Sequence, residues 1–119
     1  METFEFVGNG GYIVTLTDDE LIIECKGVKS FWIFYHVKPR VKHIPIADII
    51  RIDTKGPGMR PGYARFMTPE IMEYQSSSYV AVHDPNSIML EEEDTASFDR
   101  LFKLLKKKNK QITRENQKM

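Results

Sequence analysis

The chain has 119 residues, of which 41% are hydrophobic and 29% are charged, a composition typical of one soluble globular domain. Its 17 basic and 17 acidic residues cancel, so no global field attracts nucleic acid, and we expect no nucleic-acid partner. The single cysteine, Cys25, excludes an internal disulfide and a multi-cysteine zinc site. No signal-peptide pattern or membrane-length apolar run occurs, so the cytoplasm is the predicted location.

The first predicted element is a β-hairpin. Residues 1–10 hold a short apolar run and then a glycine-rich turn. Residues 12–17 are rich in β-branched side chains and predict a strand, and residues 20–26 predict its antiparallel partner across a tight turn.

Further short strands are predicted through the middle of the chain. Their apolar runs are bounded by proline, glycine and aspartate, at residues 40–44, 49–53, 63–67, 79–83 and 87–90. Residues 46–48 predict a turn, residues 56–62 a proline- and glycine-rich loop, and residues 70–77 an irregular segment. The apolar segment 31–35 is prone to form a strand.

The clearest element is an amphipathic helix from Asp94 to about Lys110. Its apolar side chains recur at helical spacing, at Phe98, Leu101, Phe102 and Leu105. Asp94 or Thr95 is the predicted N-cap, and lysines dominate the last turns, where they suit the helix dipole. Such a stripe needs an apolar surface, which the preceding strands supply.

Six or seven short strands followed by one helix predict an α+β fold. The spacing of the strands is that of an antiparallel meander, which curls into a partly open barrel that the helix plugs. We predict a single domain over residues 1–119, with a core at about 11–110 and with residues 1–10 and 111–119 flexible or peripheral.

Three motifs in this order resemble those of small bacterial pleckstrin-homology-like (PH-like) domains. Residues 11–23 resemble the opening hairpin, residues 44–52 the element Ile-Pro-hydrophobic-x-Asp-Ile, and residues 62–66 the fifth strand. The resemblance implies an antiparallel, partly open barrel of about seven strands capped by one C-terminal helix, with a binding or scaffolding role. The aromatic segment 31–39 and the excursion 68–77 depart from the pattern.

A basic aromatic stretch is the strongest candidate for a functional surface. From Lys26 to Ala47 there are five lysines or arginines and no acidic residue. Such a composition suits a protein interface, where aromatic and arginine anchors concentrate binding energy, and also anionic lipid headgroups. The alternative is that the aromatic side chains extend neighbouring strands and pack in the core. The predicted partner or membrane surface comprises Lys29, Phe31, Trp32, Phe34, Tyr35, Lys38, Arg40 and Lys42.

No catalytic, metal or cofactor site is predicted. The three histidines, His36, His43 and His83, match no zinc-ligand spacing. The glycine-rich loop lacks the Gly-Lys-Ser/Thr and the following helix of a phosphate-binding loop. Because no nucleophile can be paired with a base, we expect that the chain is not an enzyme, and we identify no small-molecule substrate.

The predicted function is a non-catalytic binding or scaffolding module. Its expected partner is a protein or a second copy of the chain, reached through an exposed sheet edge or the aromatic segment. The alternative is a peripheral membrane adaptor at the inner face of the membrane, which binds anionic lipid through residues 29–42.

Overall fold

The computed structural model describes residues 1–27, 39–58, 62–71 and 78–116. Within these ranges the chain is α+β, with two four-stranded sheets and a long helix near the C-terminal end. The strands are β1 (Glu2–Phe6), β2 (Tyr12–Leu16), β3 (Glu20–Cys25), β4 (Arg40–Pro45), β5 (Arg51–Lys55), β6 (Gly62–Met67), β7 (Ser87–Leu90) and β8 (Thr113–Asn116). The helices are α1 (Ser78–His83) and α2 (Thr95–Lys108).

The first sheet is an antiparallel meander in the order β1-β2-β3-β4. Its central hairpin confirms the predicted one, and the register pairs Tyr12 with Cys25 and Leu16 with Leu21. Side chains alternate between the two faces of a strand, so the buried Val14 and Ile23 point to the core from paired positions. Alternate positions, such as Ile22, lie half-buried on the outer face.

The second sheet has the order β7-β6-β5-β8, with antiparallel pairing except between β5 and β8, which run parallel. All six residues of β6 are buried, so this strand is covered on both faces. No hydrogen-bonded pairing between described strands joins the two sheets into a closed barrel.

Helix α2 packs the predicted apolar stripe into the core. Phe98, Leu101 and Leu105 are buried, while Phe102 is half-buried against the same cluster. Within the described ranges no helix is both long enough and apolar enough to cross a bilayer.

Two polar side chains fasten the ends of α2 to the strands. The Asp94 carboxylate accepts the backbone N–H of Val7 at 2.9 Å and that of Glu91 at 2.8 Å. Asp94 therefore stands at the predicted N-cap position, but it caps the preceding turn and the end of β1 rather than the first turn of α2. At the other end, the Asn109 amide donates to the carbonyl oxygens of Ile46 at 3.0 Å and Ile49 at 3.2 Å.

One predicted strand is a helix. Residues 79–83 were expected to be extended, but they belong to α1, which packs on β6 and β7. The run Tyr-Val-Ala-Val is short and apolar, so its periodicity does not distinguish a strand from a buried helical turn. Tertiary packing, which buries Ala81, stabilises the helical conformation at this position.

Both ends of the chain enter the sheets, so the core is wider than the predicted 11–110. Residues 2–6 form β1, with Phe4 and Phe6 buried. At the other end Ile112 is buried and leads into β8, a polar strand that pairs with the edge of β5. The predicted strand 49–53 begins two residues later, at Arg51. The predicted strand 31–35 and residues 72–77 of the irregular segment lie outside the described residues.

The Asp94 anchor gives a direct test of how the helix is fixed. In Asp94→Ala, the N–H groups of Val7 and Glu91 lose their acceptor, and we expect the free energy of unfolding to fall by about 2–4 kcal/mol. Chemical denaturation monitored by circular dichroism measures this loss. The neighbouring exposed Glu93→Ala is the matched control, and an equal loss in both variants would refute the anchoring role.

Candidate functional site

The predicted functional surface is described only in part. Arg40 and Lys42 lie in β4, whereas Lys29, Phe31, Trp32, Phe34, Tyr35 and Lys38 lie outside the described residues. A membrane contact through these residues therefore stays a prediction. The described part of the surface is the edge of the first sheet at β4.

Arg40 joins this edge to the second sheet. Its side chain is half-buried, and its Nη2 donates to the backbone carbonyl of Asp84 at 3.1 Å. The carboxylate of Asp84 accepts Arg65 Nε at 2.6 Å and the backbone N–H of Asn86 at 2.9 Å. Asp84 thus ties β4, β6 and the turn before β7 together.

Beyond β4 lies a polar cleft with a volume of about 180 Å³. Four consecutive residues of β4, from Lys42 to Pro45, form one wall. The end of β6 and the turns beside it form the other wall, with Asp48, Thr68, Pro69, Glu70 and Asn86. The cleft therefore separates the edge of the first sheet from the second sheet.

The backbone N–H groups of β4 alternate in direction, and the register with β3 shows which ones point away from that strand. The backbone N–H of Ile46 donates to the backbone carbonyl of Asp19, in the turn before β3, at 2.9 Å. Since N–H groups alternate in direction along a strand, those of Ile44 and Lys42 also point toward β3. The intervening residues Val41 and His43 direct their N–H groups away from β3. Pro45 occupies the next outward-facing position, but proline has no N–H to donate.

No described strand pairs with this outer side of β4. The edge of β1 differs, because it lies against α2 and β7 and the outward N–H of Val7 is bound by Asp94. In the second sheet the terminal strands are β7 and β8, and no described strand pairs with their outer sides either. Unpaired strand edges accept further strands, and among the described edges β4 is the one that also lines a cleft.

The outer face of β4 carries both apolar and ionisable side chains. Val41 is 57% exposed, and its neighbour on the same face, His43, lies 3.5 Å from Glu20. Ile22 is paired with His43 and is half-buried beneath the same surface. A strand added to β4 would therefore extend a surface that already carries β-branched side chains.

A row of polar side chains crosses the second sheet. The register places Glu115, Asp53, Arg65 and Ser87 side by side on β8, β5, β6 and β7. Asp53 is 1% exposed and accepts Arg51 Nε at 2.6 Å, and the same nitrogen lies 3.0 Å from Glu115. The hydrogen bond that Arg51 donates to Asp53, reinforced by the charges of Asp53 and Glu115, raises the pKa of Arg51.

The charged members of this row take part in ion pairs, and Asp84, the partner of Arg65, also accepts the backbone N–H of Asn86, which lines the cleft. The Arg65 and Asp84 side chains are only 4% and 11% exposed, so their attraction is little screened by solvent. The sequence did not predict this row, because a polar residue in β5 or β6 does not by itself indicate which residue it pairs with on the neighbouring strand. The alternation of charged and apolar residues in 51–55 was the available signal.

No other arrangement among the described residues suggests chemistry. Within them, no group of three or more His, Cys, Asp or Glu side chains is placed to hold a metal ion. Cys25 is buried opposite Tyr12 in the central hairpin. Among the described residues, the candidate binding feature is the unpaired outer side of β4, which lies beside a polar cleft.

The buried ion pair predicts a large effect on stability. Arg65→Ala leaves Asp84 with an uncompensated, mostly buried charge, and we expect the free energy of unfolding to fall by about 3–5 kcal/mol. Urea denaturation measures the change. Lys108→Ala, which removes a partner 3.9 Å from a fully exposed Asp18, is the control and should leave stability unaltered. A similar result for both variants would contradict a stabilising role for Arg65.

Tyr63 predicts a specific alkaline instability. Its buried hydroxyl has no hydrogen-bond partner among the described residues, and burial, with the charge of Asp53 adding, raises its pKa to about 12. Above its ordinary value of about 10 the unfolded chain releases this proton first, so the stabilising contribution is complete below pH 10 and is lost as the pH rises toward 12. We expect Tyr63→Phe to match or exceed the native stability at pH 7 and to lose less stability between pH 10 and 12. Thermal unfolding at a series of pH values tests this, and identical alkaline profiles would contradict it.

Comparison with known proteins identifies no family. No protein-family model, no curated protein and no solved structure matches this chain.

Proposed function

We propose that the chain is a non-catalytic, protein-binding module of the PH-like type, to which an extended segment of the partner adds as a strand beside β4. The single observation that carries the proposal is the direction of the Val41 and His43 N–H groups, outward from β3 on a strand whose residues 42–45 line a cleft. Seven strands, β1 to β7, that precede a packed C-terminal helix support the PH-like type. Three features depart from the expected plan: β1 comes before the opening hairpin, so that residues 62–67 form the sixth strand rather than the fifth, α1 lies between β6 and β7, and β8 follows the helix.

Strand addition explains how a small polar edge binds without a deep pocket. Main-chain hydrogen bonds to Val41 and His43 supply affinity that does not depend on the partner's sequence. Side chains of the added strand alternate between faces, so specificity comes from every second residue. Those opposite Val41 and His43 meet the outer face, and those opposite Lys42 and Ile44 meet the cleft side.

The charge of β4 restricts the partner's sequence. Lys42 favours an acidic residue directly opposite, since oppositely charged cross-strand pairs contribute about 0.2–1 kcal/mol and like charges are unfavourable. Val41 favours a β-branched or aromatic residue opposite it, in keeping with its 57% exposure. The preferred partner is therefore an extended segment that alternates apolar and acidic side chains.

A displayed library of random twelve-residue peptides, about the length of a long strand, provides the test. We expect peptides selected on the chain to lose at least about tenfold in affinity for His43→Pro, because proline removes one outward donor and blocks the edge. Fluorescence polarisation of the labelled peptides measures the dissociation constants. The β3–β4 ladder is preserved in this variant, since the N–H of His43 is not part of it.

The matched control is Thr3→Pro, which places proline at an outward-facing position of β1, the other edge of the same sheet. It should leave peptide binding unchanged. Val41→Pro serves as the second test variant if His43→Pro does not fold. Peptides that bind the two β4 variants as tightly as the native chain, or failure to select any peptide, would overturn the proposal.

A further inference from the structure

Two deeply buried polar side chains line the cleft beside β4. Thr68 and Asn86 are 6% and 5% exposed, and both belong to the wall opposite β4. The Asn86 amide nitrogen donates to the carbonyl of Phe66 at 3.3 Å, but the amide oxygen accepts no hydrogen bond from a described residue. The Thr68 hydroxyl makes no hydrogen bond within the described part of the chain either. Because buried polar groups without partners are unfavourable, this wall suits a ligand that brings hydrogen-bond donors.

The charges of the cleft favour a cation. The exposed carboxylates of Asp48 and Glu70 line it, and neither forms an ion pair with a described residue. The β4 wall contributes the ammonium group of Lys42, whereas His43 lies 3.5 Å from Glu20. Two unpaired carboxylates therefore outweigh one lysine, and they add to the acceptors that the buried amide and hydroxyl oxygens already supply.

We infer that this cleft is the pocket for an arginine side chain of the bound segment. The inference rests on the proposed strand addition and names a residue that the partner must carry. A guanidinium group presents more N–H donors than a lysine ammonium, in a planar fork, so it can satisfy several acceptors at once. The cleft volume of about 180 Å³ equals that of roughly six water molecules at about 30 Å³ each, which is comparable to one long side chain.

The alternation of the added strand determines where this arginine lies. Side chains opposite Lys42 and Ile44 are on the cleft side and two positions apart. Lys42 favours an acidic residue opposite it. The buried Ile44 presents no polar atom, so the side chain opposite Ile44 is the one that can reach Thr68 and Asn86. The arginine therefore takes the place of a second acidic residue in the alternating segment, two positions from the first.

Citrulline provides the test, because it keeps the shape of arginine and lacks the positive charge. We expect the peptides selected on the chain to share an arginine two positions from an acidic residue. Replacement of that arginine by citrulline or by lysine should raise the dissociation constant about threefold to tenfold in fluorescence polarisation. Thr68→Val, which removes the hydroxyl and keeps the side-chain shape, should weaken binding of the arginine peptide by about threefold to tenfold.

The two carboxylates are tested through their coupling to the charge of the peptide. Asp48→Asn and Glu70→Gln should each weaken binding of the arginine peptide about threefold to tenfold, and should change that of the citrulline peptide by less than about twofold. Glu5→Gln is the matched control, because it removes an exposed carboxylate from β1, the other edge of the same sheet. It should leave the affinity for both peptides unchanged.

The outcomes separate this inference from the proposed function. Peptides that depend on the β4 edge but share no arginine, or that bind equally well with citrulline or lysine, would overturn the inference and leave the proposed function standing. Equal losses for the arginine and citrulline peptides in the Asp48 and Glu70 variants would also overturn it, since they would show that the carboxylates do not contact the guanidinium. If no peptide is selected, the proposed function falls and the inference falls with it.

Discussion

The fold depends on the fastening of α2 at both ends by side-chain to main-chain hydrogen bonds. Asp94 holds the last N–H of the β1 segment, and Asn109 holds two carbonyl groups of the turn between β4 and β5. An apolar stripe alone fixes which face of a helix is buried but not where the helix lies along the sheets. The two polar anchors supply that position and so set the first sheet against the second.

In this arrangement the edges of the sheets differ in what lies beside them. In the first sheet the β1 edge meets α2, whereas the β4 edge lies beside a cleft; β7 and β8 are the terminal strands of the second sheet. The buried pair of Arg65 and Asp84 is connected to that cleft through Asn86, a lining residue whose backbone N–H donates to Asp84. Buried pairs of this kind seldom add net stability relative to apolar residues, but breaking one is costly.

The sequence predicted the elements whose signal is local. The hairpin of β2 and β3, the strand β7 and the stripe of α2 follow from alternation, turn residues and helical spacing, and all are confirmed. It did not predict α1, because a five-residue apolar run carries no period, or β8, whose polar residues are ordered by pairing with β5. The β4 strand was predicted, but its open side depends on the neighbours that other strands take, which is a property of the whole topology.

Amide hydrogen exchange at Val41 and His43, followed residue by residue by NMR, tests the central claim most directly. In the free chain at low concentration these two amides should exchange at least about tenfold faster than those of Lys42 and Ile44, which are bonded to β3. With a selected peptide bound, the exchange of Val41 and His43 should slow to that of their neighbours. Protection of both amides already in the dilute free chain, or none in the complex, would contradict a binding edge at β4.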